Sequence, residues 1–151
     1  MEIAKQSYKL NEFNINPKDF MINDFFSCVK QLKIAQKQFD CVILDPPFFS
    51  ATKKGRIDLA LNTKQLINKL RPLIKNDGYL VVINNALFLS GAKFMSGIQE
   101  LCSDKYLSVS ELIPVPQDIA GYAQSASTLP TDSKPFNHST KIIVLKIKRK
   151  Q

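Results

Sequence analysis

The stretch FDCVILDPPFF, Phe39 to Phe49, decides how the rest of the chain is read. Its first half, Cys41-Val42-Ile43-Leu44, is a short apolar run with β-branched residues, the pattern of a strand buried on both faces of a parallel sheet. Asp45 then meets two prolines, which have no backbone N–H and push the preceding residue out of the helical region. The strand therefore stops sharply, with an acid, a rigid turn and two aromatic residues at its carboxyl end. Open α/β sheets bind ligands at that edge.

A turn fixed by Pro46 and Pro47 pre-aims the Asp45 carboxylate and nearby carbonyls as hydrogen-bond acceptors. Phe48 or Phe49 offers a flat apolar face to a planar ring. Acceptors beside a stacking surface suit a nucleobase carrying amino or imino hydrogens. The competing reading is structural, a strand that ends in a proline turn and buries its phenylalanines.

Three stretches together resemble a known family: FDCVILDPPFFS (39–50), LRPLIKNDGYLVVINNALFLSG (70–91) and PFNHSTKIIVLKIKRK (135–150). The chain is similar to the C-terminal, Rossmann-like catalytic domain of the large-subunit rRNA methyltransferase K/I type, a class I S-adenosylmethionine (SAM) family. The resemblance implies a doubly wound α/β sheet of strand order 3-2-1-4-5-7-6 with the last strand antiparallel. Laid on that pattern, residues 1–151 form one partial domain. Strand three is expected at about 19–22, strand four at 40–44, strand five at 79–83, strand six at 107–113 and strand seven at 140–147. Strands one and two and the glycine-rich loop are not matched, and no GxG occurs anywhere in the chain. The expectation is that this chain alone binds SAM weakly, and that a further N-terminal half or self-association through exposed strand edges completes the sheet.

The resemblance also implies site residues. Asp45, Pro46, Pro47 and Phe48 match the methyl-transfer motif. Asp24, which also suits a helix N-cap, matches the acid that receives the adenine amino group, and Phe25 follows it against the ring. Asn84 and Asn85 match an Asn-Asn after strand five. Substrate contacts are expected from Phe49, from Lys53 and Lys54, and from His138 in the loop before the last strand. A lone loop histidine such as His138 is more often solvated or structural, and SATKKGR (50–56) reads equally as a solvated polar loop. Members that methylate cytosine at C5 need a cysteine just after strand five, where this chain has Ile83-Asn84-Asn85-Ala86. Transfer to a base nitrogen in rRNA is expected instead, with SAM as cofactor and S-adenosylhomocysteine (SAH) as product. The alternative is a truncated, non-catalytic remnant that at most binds RNA.

Composition narrows the classes without choosing among them. At 151 residues with 44% apolar and 23% charged content, the chain has the make-up of a soluble globular domain. No apolar run approaches the length of a membrane span, and the first residues lack a signal-peptide apolar core. The net charge of +8 favours a phosphate-rich partner such as RNA. Cys28, Cys41 and Cys102 lack metal-ligand or disulfide-framework spacing, so no metal is expected and a cytoplasmic setting fits.

Helices are expected at about 1–13, 25–37, 62–75 and 91–102, the third ending at Asn76-Asp77-Gly78 in a left-handed cap. Pro116 to Ser139 reads as a long loop.

Overall fold

The computed structural model describes residues 2–47, 49–52, 55–120 and 131–149, with side chains described throughout except at 49–52, 55–61 and 120. Its chain order is α1 (Glu2–Leu10), a single 3-10 turn (Pro17–Asp19), α2 (Phe25–Ile34), β1 (Phe39–Leu44), β2 (Phe49–Thr52) and β3 (Gly55–Asp58). There follow α3 (Leu59–Leu70), a 3-10 turn (Arg71–Leu73), β4 (Ile74–Asn84), α4 (Gly91–Cys102), β5 (Leu107–Ile113), α5 (Gln117–Ala120) and β6 (Lys141–Ile147).

The main sheet has the order β1-β4-β6-β5. β1 and β4 are parallel, while β6 runs antiparallel to both β4 and β5. This is the 4-5-7-6 portion of the expected pattern, antiparallel last strand included. Residues expected in strand three do otherwise. Pro17 opens a 3-10 turn whose Lys18 N–H donates to the Asn16 side chain, and 20–22 form no strand. A lone extended segment leaves its backbone groups without a ladder partner, and among the described residues no strand lies beside it.

Helices cover one face of the sheet. Val42, Leu44, Leu80, Val82, Ile143, Leu145 and Ile147 pack into one cluster with Val29 of α2, Leu66, Ile67 and Leu70 of α3, and Phe94 and Ile98 of α4. On the other face, Cys41, Ile43 and Tyr79 are exposed, and Val81, Ile83, Ile142 and Val144 are only half-buried. The expectation that β1 is buried on both faces is thus half right. Its inward parity is covered and its outward parity is not, with Ile43 68% exposed.

Local chemistry sets the element ends. Asp24 caps α2 by accepting from Ser27 N–H at 3.1 Å. At the other end Gln36 turns left-handed (φ 51°), with Gln36 N–H bonded to Lys33 C=O and Lys37 N–H to Leu32 C=O, a Schellman closure. α3 stops at Leu70 rather than near Lys75, because Pro72 has no N–H to continue it. The chain is already in β4 at Ile74, and the left-handed residue there is Asp77 (φ 60°). Gly78 is required for another reason: a Cβ there would meet Asp40 C=O and Ile74 Cγ2, both at 2.8 Å. Residues 50–56 are expected as a loop; instead β2 and β3 pair antiparallel, Phe49 opposite Asp58 and Thr52 opposite Gly55.

Candidate active site at the carboxyl ends of β1 and β4

β1 and β4 are parallel neighbours in register, Leu44 opposite Val82, so the residues that follow them emerge at the same edge. Asp45 follows β1 and Asn85 follows β4. Both are exposed, and Asn85 Nδ2 donates to Asp45 Oδ1 at 3.3 Å. Pro46 is half-buried and Pro47 exposed, so the turn projects the carboxylate outward instead of folding it back on the core. The structure thus brings Asp45 and Asn85 together from positions forty residues apart.

Asn84 behaves differently. Its side chain is fully buried, donating to Thr63 Oγ1 at 3.1 Å and accepting from Ala86 N–H at 3.0 Å. It ties α3 to the turn after β4, and so holds Asn85 from behind. Lys141, opposite Asn84 on β6, completes this support. It is 1% exposed, and its ammonium donates to Ala86 C=O at 2.9 Å and Ser139 C=O at 2.5 Å. Burial without an anion pulls its pKa down to about 8.

The loop before β6 is anchored at several points. Phe136 is buried, its ring 5.6 Å from that of Phe94. Asn137 clamps Val115, accepting from its N–H at 2.9 Å and donating to its C=O at 2.8 Å. His138 is half-buried on the same loop, and its Nδ1 accepts from Thr140 N–H at 3.0 Å. In the neutral ring that leaves the proton on Nε2. Asp24 and Phe25 lie at the start of α2, where both Asp24 oxygens accept from Ser27, Oδ1 from the N–H and Oδ2 from Oγ at 2.6 Å. The Phe25 ring packs edge-on against Phe26 at 5.3 Å. Phe48, Lys53 and Lys54 lie outside the described residues, and Phe49 is described only as backbone in β2.

Sequence reading missed Thr63, Asn137 and Lys141. For Lys141 the signal was present: in KIIVLKI it shares parity with Ile143, Leu145 and Ile147, the buried face. Nothing local marks Thr63 or Asn137, whose partners are 21 and 22 residues away.

No family model matches the chain. Over 89 residues, 56% of its length, it is 34% identical to the ribosomal RNA large subunit methyltransferase K/L of Psychrobacter arcticus, and over 84 residues 31% identical to the K/L protein of Legionella pneumophila. Over 75 residues it is 29% identical to the large subunit methyltransferase I of Serratia proteamaculans. The chain spans only 11% to 19% of the length of these relatives. Among solved structures, SMU.776, described as a methyltransferase complexed with SAH, superposes on 93% of this chain with a TM-score of 0.70 at 18% identity. A protein of Streptococcus mutans described as a SAM-dependent methyltransferase covers 83% with a TM-score of 0.63 at 17% identity. The chain covers 34% and 30% of those two structures. The resemblance to the K/I type of large-subunit rRNA methyltransferase is borne out in sequence, and the class I methyltransferase fold in structure.

Proposed function

We propose that this chain carries the methyl-transfer edge of a SAM-dependent methyltransferase acting on a base nitrogen in rRNA. The carrying observation is the pairing of Asp45 with Asn85 at the ends of two adjacent parallel strands, directly before a proline-fixed turn. The relatives in sequence are named as rRNA large subunit methyltransferases, and a neighbour in fold is described as complexed with SAH.

In this reading Asp45 and the carbonyls of the Pro46-Pro47 turn accept the hydrogens of the target base, and Phe48 stacks on it. Asn85 holds Asp45 in place and keeps an amide oxygen to accept from the base. Asn84 acts indirectly, by fixing Asn85. Asp24 beside Phe25 supplies the acceptor and the apolar surface that an adenine amino group and ring require. Phe49, Lys53, Lys54 and His138 are assigned to contacts with the RNA. When bound, SAM supplies an electrophilic methyl group; the chain's part is to hold a base nitrogen in line with it, and positioning accounts for most of the barrier reduction in such a transfer. Ile83-Asn84-Asn85-Ala86 holds no cysteine, so the chemistry needs no covalent adduct with the base. β1 has no second neighbour among the described residues, which leaves its outer edge unpaired there. An unprotected edge of this kind pairs with further strands, which supports completion of the sheet by another segment or by a second copy.

The test is transfer of labelled methyl from SAM to bulk rRNA by wild type and Asp45→Asn, with SAH binding measured by calorimetric titration. Transfer lost in Asp45→Asn supports the reading. Equal transfer by both proteins overturns it, and RNA binding with no SAH binding replaces it by a non-catalytic RNA-binding remnant.

A further inference from the structure

A basic groove lies at the end of the sheet opposite Asp45. Lys33 comes from α2, and Lys37 from the turn that closes it. Arg149 follows β6, and Lys69, in the last turn of α3, acts on Lys33 from outside the groove. The groove, about 610 Å³, is lined by Lys33, Gln36, Lys37, Gln38, Pro72, Leu73 and Arg149, with no acid among them.

The neighbouring acids are engaged elsewhere. Asp40 takes Lys75 through both oxygens at 2.8 and 2.9 Å, Asp104 takes Arg71 at 2.8 Å, and Asp77 takes Lys146 at 3.3 Å. Among the described residues, Lys33, Lys37 and Lys69 form no ion pair. Arg149 is held in the wall: Nη2 donates to Pro72 C=O at 2.6 Å and its backbone N–H to Asn76 Oδ1 at 2.9 Å. Burial, and then the charge of Lys69, lowers the Lys33 pKa, so these two ammoniums are near enough to repel.

Lysines at a helix C-terminus have an ordinary explanation, since they complement the helix dipole. That accounts for Lys33, Lys37 and Lys69 taken one at a time. It does not account for Lys33, Lys37 and a backbone-anchored arginine lining one acid-free concavity, where each added cation raises the repulsion.

We infer that this groove is an anion-binding site that takes RNA phosphates, apart from the methyl-transfer edge. The six residues of β1 separate the two ends of the sheet by about 20 Å, so one RNA reaches both along the side of the domain. Cations, two glutamines and a fixed guanidinium are the side chains that contact phosphate and fix register without reading sequence. A protein partner would call for an apolar anchor at the centre, whereas Leu73 is buried in the core and the groove offers only Pro72. That the anion is RNA rests on the function proposed above; that the groove binds a polyanion does not.

Fluorescence anisotropy of a labelled mixed-sequence RNA oligonucleotide with the full chain, titrated across salt, tests this. Lys33→Gln/Lys37→Gln is compared with Lys5→Gln/Lys9→Gln on α1, which removes the same charge elsewhere. The groove variant is expected to weaken binding about tenfold at low salt and to flatten the log affinity against log salt slope by about 1.4 to 1.8. The α1 variant leaves both unchanged. Equal weakening by the two variants overturns the proposal in favour of diffuse net charge. Competition by polyglutamate as effective as that by RNA overturns it in favour of an acidic protein partner. SAH titration of the same proteins reads the methyl-transfer edge separately, so its failure and the groove's are told apart.

Discussion

Asn85 Nδ2 reaches Asp45 Oδ1 at 3.3 Å across the ends of two parallel strands. The bond is long and both residues are exposed, so its net contribution to stability is at most about 1 kcal/mol. Its effect is to limit where the carboxylate points. Asn85→Ala should therefore leave the melting transition within the range of a neutral surface change, about 0.5 kcal/mol. The same variant should lower methyl transfer by about 100-fold, the scale of a displacement of about 1 Å at a reacting centre. Single-turnover kinetics beside a denaturant titration checks both halves.

Asn84, one residue earlier, should give the reverse pattern. Asn84→Ala strands Ala86 N–H in a buried setting and removes the amide that donates to Thr63 Oγ1. An expected loss of about 2 kcal/mol follows from leaving a buried N–H unpaired. A stability change for Asn84→Ala no larger than that for Asn85→Ala would show that the turn is held by other contacts.

The contrast between these two asparagines shows what was legible in the sequence. β1, β4, β5 and β6 were found because apolar runs and alternation are local signals. The turn at Asp45 was found because proline chemistry is local too. Which asparagine faces out was not legible, since it depends on Thr63 across 21 residues. Strand three failed because a short apolar run becomes a strand only beside another. Phe20, Met21 and Ile22 are apolar, but the Tyr8 ring packs against Phe20 at 5.1 Å and no ladder forms. The exposed outer face of β1 was missed for a related reason: a both-faces-apolar pattern says that a face can be covered, not that a described element covers it.

That half-covered sheet has a measurable consequence. Leu80 is fully buried beneath the helices, so Leu80→Ala should cost about 2–5 kcal/mol. Ile43, 68% exposed on β1, should tolerate Ile43→Ser with a loss of less than about 1 kcal/mol. Chemical denaturation of both variants decides it. A loss at Ile43 that matches the one at Leu80 would mean that the outer face is covered in solution.

Two glycines of α4 should respond with opposite signs. A Cβ at Gly91 would run into the Ser133 and Lys134 carbonyls, backbone atoms that cannot swing aside. Gly91 N–H also bonds Asp132 C=O at 2.9 Å, so the clash falls on the contact that docks this loop on the helix. Gly91→Ala should destabilise by about 1–3 kcal/mol. At Gly97 an added methyl meets only the Lys64 side chain at ordinary contact distance, in a helix interior. Gly97→Ala should stabilise by about 0.5–1 kcal/mol. Thermal melts of the pair check the signs.

Lys141 makes stability depend on pH in a direction that can be worked out. Burial lowers its pKa from 10.5 in the ordinary state to about 8 in the folded one. Between those values the unfolded chain holds the proton and the folded chain has released it. Stability rises with pH wherever the unfolded state binds more protons, so this residue adds stability as pH climbs from about 8 to 10.5. Over the whole window the gain is about 3 kcal/mol, at 1.36 kcal/mol per unit. The neutral amine keeps two N–H donors, matching its two carbonyl acceptors at Ala86 and Ser139, so deprotonation need not break the clamp. The comparison with Lys141→Met isolates this residue's contribution. The stability difference between wild type and Lys141→Met, from urea titrations at stepwise pH, should move in favour of wild type above pH 8. A difference that stays flat to pH 10.5 would mean that Lys141 is charged and solvated in the folded protein.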